Sequence, residues 1–199
     1  MSLQIKQSPF FWSKLMKNIG VTLFREDILD IPDFNFPEGF RVRNFKPGEG
    51  NIWTRIQRAA EPFFEIEDNL FKKQFGEHLD QLPDRSFFVI TEDGHEVGSI
   101  TAWWYNNWRD KDWGLIHWVA VHPDYQGRGI CKAMMTVAMN RLKQDHDRAM
   151  LNTSTGRVAA IKVYLDFGFK PDMQKDNSRE AWSNFYSVLP HPALKEYDL

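Results

Sequence analysis

Gln126-Gly127-Arg128-Gly129 is the stretch of this sequence with the most chemical promise. Residues 113–121 before it are apolar, β-branched and aromatic, as a buried strand requires. His122-Pro123-Asp124 ends that run, because proline cannot donate to a ladder. From Ile130 onward Met134, Val137, Ala138, Arg141 and Leu142 recur at threes and fours, the spacing of a helix. A strand, a glycine-rich turn and a helix leave several backbone N–H groups unpaired at the helix start. With the helix dipole they make an anion site, to which Arg128 adds positive charge. On the residues alone, phosphate binding and a structural turn both stay open. The dinucleotide pattern lacks its third glycine, and no Walker lysine follows.

His117 is the second residue with chemistry to offer. Its ordinary pKa suits it to take a proton from an ammonium group, directly or through water. A hydrogen-bonded interior histidine is the competing reading. Strand alternation predicts that His117 shares a face with Val119 and Val121. Cys131 is a poor nucleophile, since no histidine stands at useful spacing. The six histidines form no ligand-like cluster with cysteine or acids, so no metal is expected.

The turn resembles that of the Gcn5-related N-acetyltransferase (GNAT) superfamily, whose pattern is Arg/Gln-x-x-Gly-x-Gly/Ala preceded by V-x-P and an aromatic residue. Here it falls on Gln126, Gly129 and Cys131, after Val121, Pro123 and Tyr125. Cys131 departs from the usual glycine or alanine. The likeness extends to AAIKVYLDFGF at 159–169, where the family carries a tyrosine before an apolar-Gly-Phe ending, and so covers much of 85–170.

That resemblance implies an α/β (α+β) chain with the acyl-CoA N-acyltransferase fold: a mixed, mostly antiparallel central sheet flanked by helices. It implies acetyl-CoA as cofactor, with the backbone of Val119 and Val121 meeting the pantetheine arm. The amides of Gln126, Gly127, Arg128, Gly129, Ile130 and Cys131 would meet the pyrophosphate. Tyr164 would be the acid for the departing thiolate and His117 the candidate base. The loop between the first two helices would overlie the acceptor, a primary amine of a small molecule or peptide. Phe63 and Phe64 would then contact its body and Glu65 and Glu67 its charge; Trp103 is a further aromatic candidate. A non-catalytic acyl-CoA-binding module and a protein N-terminal or lysine acetyltransferase are the alternatives.

Composition narrows the classes further. With 42% hydrophobic and 15% aromatic residues over 199 positions, the chain can bury a sizeable core. A net charge of −2 argues against a general nucleic-acid binder. One cysteine allows no internal disulfide, and no apolar run is long enough to span a bilayer. A cytoplasmic enzyme without nucleic-acid or membrane partners is expected. Homodimerisation stays open, with the aromatic N-terminal segment as its candidate contact.

The elements that must position these residues follow from patterning. Phe11, Leu15 and Ile19 share one face of a helix ended by Gly20, within a helical extension and linker over 1–38; the acetyltransferase-like domain is placed at 39–199. Strands are predicted at 40–45, 85–91 and 96–105, with Gly98 marking a bulge and 106–112 a polar turn. Helices are predicted from Asn51 to Ala60 and in a second stretch ending at Phe75. Alternation sets Trp103 and Trp104 on opposite faces, so they should not line one pocket. A strand at 149–153, a helix from Val158 to Phe167 stopped by Gly168, a strand from Phe169 and a last strand at 182–189 complete the reading.

Overall fold

The computed structural model describes residues 17–199. In chain order the elements are β1 (Gly20–Arg25), β2 (Phe40–Asn44), α1 (Gly50–Ala60), α2 (Leu70–Phe75), α3 (Leu82–Arg85), β3 (Ser86–Thr91), β4 (Glu96–Trp108), β5 (Lys111–Val121), α4 (Ile130–Leu142), β6 (Ala149–Ser154), α5 (Val158–Asp166), β7 (Lys170–Pro171) and α6 (Ser178–Val188). The architecture is mixed α/β with mostly antiparallel strand pairing. The chain forms two compact units, one of residues 26–149 and one joining 17–25 to 150–199.

In the 26–149 unit, β2, β3, β4 and β5 form an antiparallel meander. Gln57 of α1 bonds Ser99, whereas a side chain at the preceding Gly98 would meet Met134 of α4 at 3.2 Å. Neighbouring strand residues point to opposite faces, so α1 and α4 cover opposite faces of the meander. Trp53, Ile56 and Gln57 lie on the buried stripe of α1, and Trp53, Phe75 and Phe88 anchor the packing there. Residues 30–38, the end of the stretch read as extension and linker, run along α4: Thr136 Oγ1 accepts from Phe34 N at 3.1 Å and donates to the Pro32 carbonyl at 2.9 Å.

Three irregularities shape the meander. The β3–β4 register skips Val97, a bulge beside Gly98 as the sequence suggested. The β4–β5 hairpin continues past Tyr105 to a tight turn at Arg109-Asp110, both with positive φ, so 106–112 is mostly strand rather than turn. Between Ser99↔Ala120 and Thr101↔His117, β5 carries one more residue than β4. Trp118 has φ +49°, a left-handed conformation unusual for a bulky side chain. This bulge overturns the expectation that His117 stays in phase with Val119 and Val121, because an extra residue shifts the alternation.

In the other unit, β1 lies between β6 and β7, with β1 and β7 antiparallel. The helix expected up to Gly20 lies mostly in residues outside those described, and 20–25 form a strand instead. Val21, Thr22 and Phe24 favour extended backbone, and Thr22 Oγ1 donates to Asn152 Oδ1 of β6 at 2.8 Å. Residues 182–189 are also not a strand. They fall within and just after α6, where Ala181, Trp182 and Phe185 form one buried face. Spacing of three and four, not alternation, is the pattern that decides there. The strand expected from Phe169 is only Lys170–Pro171.

Candidate active site

The glycine-rich turn is built as an open cradle. Gly127 (φ +75°) and Gly129 (φ +85°) both adopt left-handed backbone, and a β-carbon at either would meet no heavy atom within 4 Å. The requirement for glycine is therefore conformational rather than steric. Gln126 braces the turn from within: its Nε2 donates to the Val121 carbonyl at 2.8 Å. Arg128 folds back, donating to the Asp124 carbonyl at 3.1 Å and lying over the Tyr125 ring. Ile130 and Cys131 open α4, whose first amides have no intrahelical acceptor. An anionic group fits this cradle by backbone amides and dipole. Burial pushes the Cys131 thiol up to about 12, so it remains protonated at neutral pH and is a poor nucleophile.

The bulge in β5 turns His117 and Trp118 toward the same neighbours. Gln74 Oε1, on α2, lies 3.1 Å from Trp118 Nε1 and 3.3 Å from His117 Nε2. Phe75 meets His117 edge-on at 6.0 Å, and Trp53 meets Trp118 edge-on at 5.1 Å. The left-handed Trp118 backbone is held by Gln57, whose Nε2 donates to the Trp118 carbonyl at 2.9 Å. Strain of this kind costs on the order of 1–3 kcal/mol and persists only where surrounding contacts hold it. Burial lowers the His117 pKa to about 4, so the imidazole is neutral at pH 7. Its proton affinity is then some six pK units below that of an ordinary alkylamine. It cannot readily strip a free ammonium ion, but it can accept a proton whose acidity rises as the N–C bond forms.

The expected acceptor residues divide. Phe64 is half exposed and meets Trp118 edge-on at 6.4 Å. Phe63 is partly buried, and its amide donates to Glu61 Oε1 at 2.9 Å. Glu67 is paired with Lys73 at 2.7 Å, while Glu65 is exposed. Trp103 is buried and stacks on Trp104 with ring centroids 4.1 Å apart. The two tryptophans, expected on opposite faces and not in one pocket, thus meet each other through their rings. Alternation governs where the Cβ atoms point, and both indoles are long enough to swing together at the His78 side chain. Phe75 links Trp103 to His117, at 5.3 and 6.0 Å. Gln57, Gln74 and Trp118 went unnoticed in the sequence. Only Gln57 left a signal there, as a polar residue on the apolar stripe with Trp53 and Ile56.

Tyr164 belongs to the other unit, and its position has a local cause. Gly168 (φ +77°) ends α5: its N–H bonds the Leu165 carbonyl at 3.0 Å, and Phe169 N–H bonds the Tyr164 carbonyl at 3.1 Å. This is a Schellman cap, in which the residue after glycine packs on the one three before the cap. Phe169 and Tyr164 are that pair, ring centroids 6.4 Å apart. The Y-L-D-F-G-F sequence thus encodes a helix end that fixes the buried Tyr164 side chain.

Among the described residues no group of histidine, cysteine and acidic side chains is arranged to hold a metal ion, and no helix is long and apolar enough to cross a membrane.

A family model described as acetyltransferase (GNAT) family matches residues 52–169. A mycothiol acetyltransferase of Streptomyces coelicolor is 28% identical over 167 residues, covering 78% of this chain and 53% of the relative. The chain thus spans about half the length of the curated relatives it matches. Among solved structures, a GCN5-related N-acetyltransferase from Sphaerobacter thermophilus superposes with a TM-score of 0.62 at 19% identity, covering 79% of this chain and 49% of that one. A chain of the NatC complex bound to Gag peptide and CoA gives 0.52 at 18% identity, over 64% of this chain and 82% of that one. At these identities the structural likenesses establish a shared fold.

Proposed function

The chain belongs to the GNAT acetyltransferase family, and from that premise we propose that it moves an acetyl group from acetyl-CoA to a primary amine of a small molecule or peptide, directly and without an acyl-enzyme. The observation that carries this reading is the cradle at 126–131, with left-handed glycines that no neighbouring atom crowds within 4 Å of a β-carbon and the first turn of α4 behind. Its amides suit the cofactor's diphosphate, and the backbone of Val119 and Val121 suits the amides of the pantetheine arm.

Bound acetyl-CoA would supply the activated acyl group as a thioester. The protein's own part is orientation and proton handling. Backbone N–H groups of the bulged strand polarise the reacting carbonyl. His117, neutral and desolvated, accepts the amine proton as the nitrogen bonds to carbon. Tyr164 donates a proton to the leaving thiolate. The Cys131 thiol, held protonated, takes no acyl group. Phe64 and Trp118 form an aromatic edge for the acceptor's apolar body, and Glu65 is the carboxylate offered to its charge. The likeness to mycothiol acetyltransferases is a reason to try amine-bearing small molecules first.

The test is CoA release from acetyl-CoA across amino sugars, polyamines, aminoglycosides and short peptides, with Tyr164→Phe beside the parent. Amine-dependent release that collapses in the variant supports transfer. Acetyl-CoA binding without release for any amine would favour a non-catalytic acyl-CoA-binding module. Failure to bind acetyl-CoA would overturn the assignment of the cradle.

A further inference from the structure

Gln74 stands outside every pattern visible in the sequence, yet its side-chain amide meets two ring nitrogens at once. Trp118 Nε1 is 3.1 Å from Gln74 Oε1, and His117 Nε2 is 3.3 Å from the same oxygen. An indole nitrogen can only donate. The Gln74 atom facing it must therefore be the amide oxygen, since the reversed amide would set two N–H groups against each other. That settles an orientation which coordinates alone leave ambiguous. The oxygen then has a second neighbour, His117 Nε2, which meets it favourably only if it too carries hydrogen.

A neutral imidazole has one N–H and one lone pair. Burial keeps this ring neutral across the neutral range. The rings packed against it, Phe75 and Trp118, bring no charge that would alter this. With the hydrogen on Nε2, the lone pair is on Nδ1. The β5 bulge favours the arrangement: in a regular strand, the Cβ atoms of residues 117 and 118 would point to opposite faces.

We propose that Gln74 is a positioning residue that locks His117 as the Nε2–H tautomer, so that Nδ1 is the nitrogen that takes the proton of the acceptor amine. The bond that forms is Nδ1–H and the one that breaks is the amine N–H; the nitrogen's electron pair stays with the new amide. The role in proton transfer rests on the acetyl-transfer reading above, whereas the tautomer does not.

The experiment is 15N NMR of the imidazole nitrogens in the full chain at pH 7, with His117 assigned by its loss in His117→Asn. The expected parent spectrum has a protonated Nε2 with a slowly exchanging hydrogen and an unprotonated Nδ1. Gln74→Leu should lose that slow exchange and lower kcat roughly tenfold or more, with KM for acetyl-CoA unchanged. Gln74→Glu, which keeps an acceptor oxygen, should retain the tautomer and raise the pH at which the ring protonates by about one unit or more. A parent ring protonated on Nδ1 would overturn the proposal, as would a Gln74→Leu protein with the parent's slow exchange and kcat. The spectra need no acceptor, so they judge the tautomer independently. Full turnover by His117→Asn would instead remove His117 as base.

Discussion

Replacing His117 with asparagine should change how stability depends on pH. Burial holds the folded-state pKa near 4, against 6.5 for an exposed histidine. As pH falls through 6.5 the unfolded chain takes up a proton that the folded chain refuses. The unfolded state then binds more protons, so folding stability declines with falling pH. The contribution is fully present above pH 6.5 and is lost progressively down to about pH 4. Between pH 7.5 and pH 5 the loss amounts to about 2 kcal/mol. His146, also lowered by burial, pulls in the same direction, so the parent's profile alone cannot isolate His117. The informative quantity is the parent-minus-variant difference in unfolding free energy, from urea titrations at pH 7.5, 6.5, 5.5 and 5. It should fall by about 2 kcal/mol toward acid. His117→Asn itself costs packing against Phe75, but that cost is the same at every pH and drops out of the slope. A difference constant across the range would refute the claim that His117 is desolvated and neutral.

Other predictions follow from single contacts. Tyr164→Phe should lower CoA release by roughly 10²-fold or more in the acetyl-CoA assay, while leaving circular dichroism unchanged. Gly168→Ala forces a side chain into φ +77° at the helix cap; it should cost about 1–2 kcal/mol, read as a fall in Tm of a few degrees. Gly129→Val strains the same conformation and fills the cradle, so acetyl-CoA affinity by calorimetry should drop at least tenfold. Cys131→Ala should keep near-parent turnover, because a thiol held protonated does no covalent work; loss of an acetylated, hydroxylamine-sensitive intermediate in this variant would contradict direct transfer.

Much of this protein is legible in its sequence because the determinants are local. The left-handed backbone of Gly127 and Gly129, the strand stopped before Pro123 and the helix from Ile130 follow from residue chemistry over a few positions. So does the cap that seats Tyr164, since the Schellman pair and its glycine lie within six residues. Patterning failed where distant partners decide. GVTLFR at 20–25 and WSNFYSV in α6 are short enough for either periodicity, and burial against the rest of their unit selects strand for one and helix for the other. The stacking of Trp103 on Trp104 depends on side-chain reach, which alternation does not describe. The β5 bulge is the deepest case. One extra residue between His117 and Ala120, held by Gln57 from α1 and Gln74 from α2, brings His117 and Trp118 to one acceptor. Sequence determined that a histidine sits on this strand. The tertiary structure decided its charge and which nitrogen carries its hydrogen, because both depend on burial and on an amide more than forty residues away.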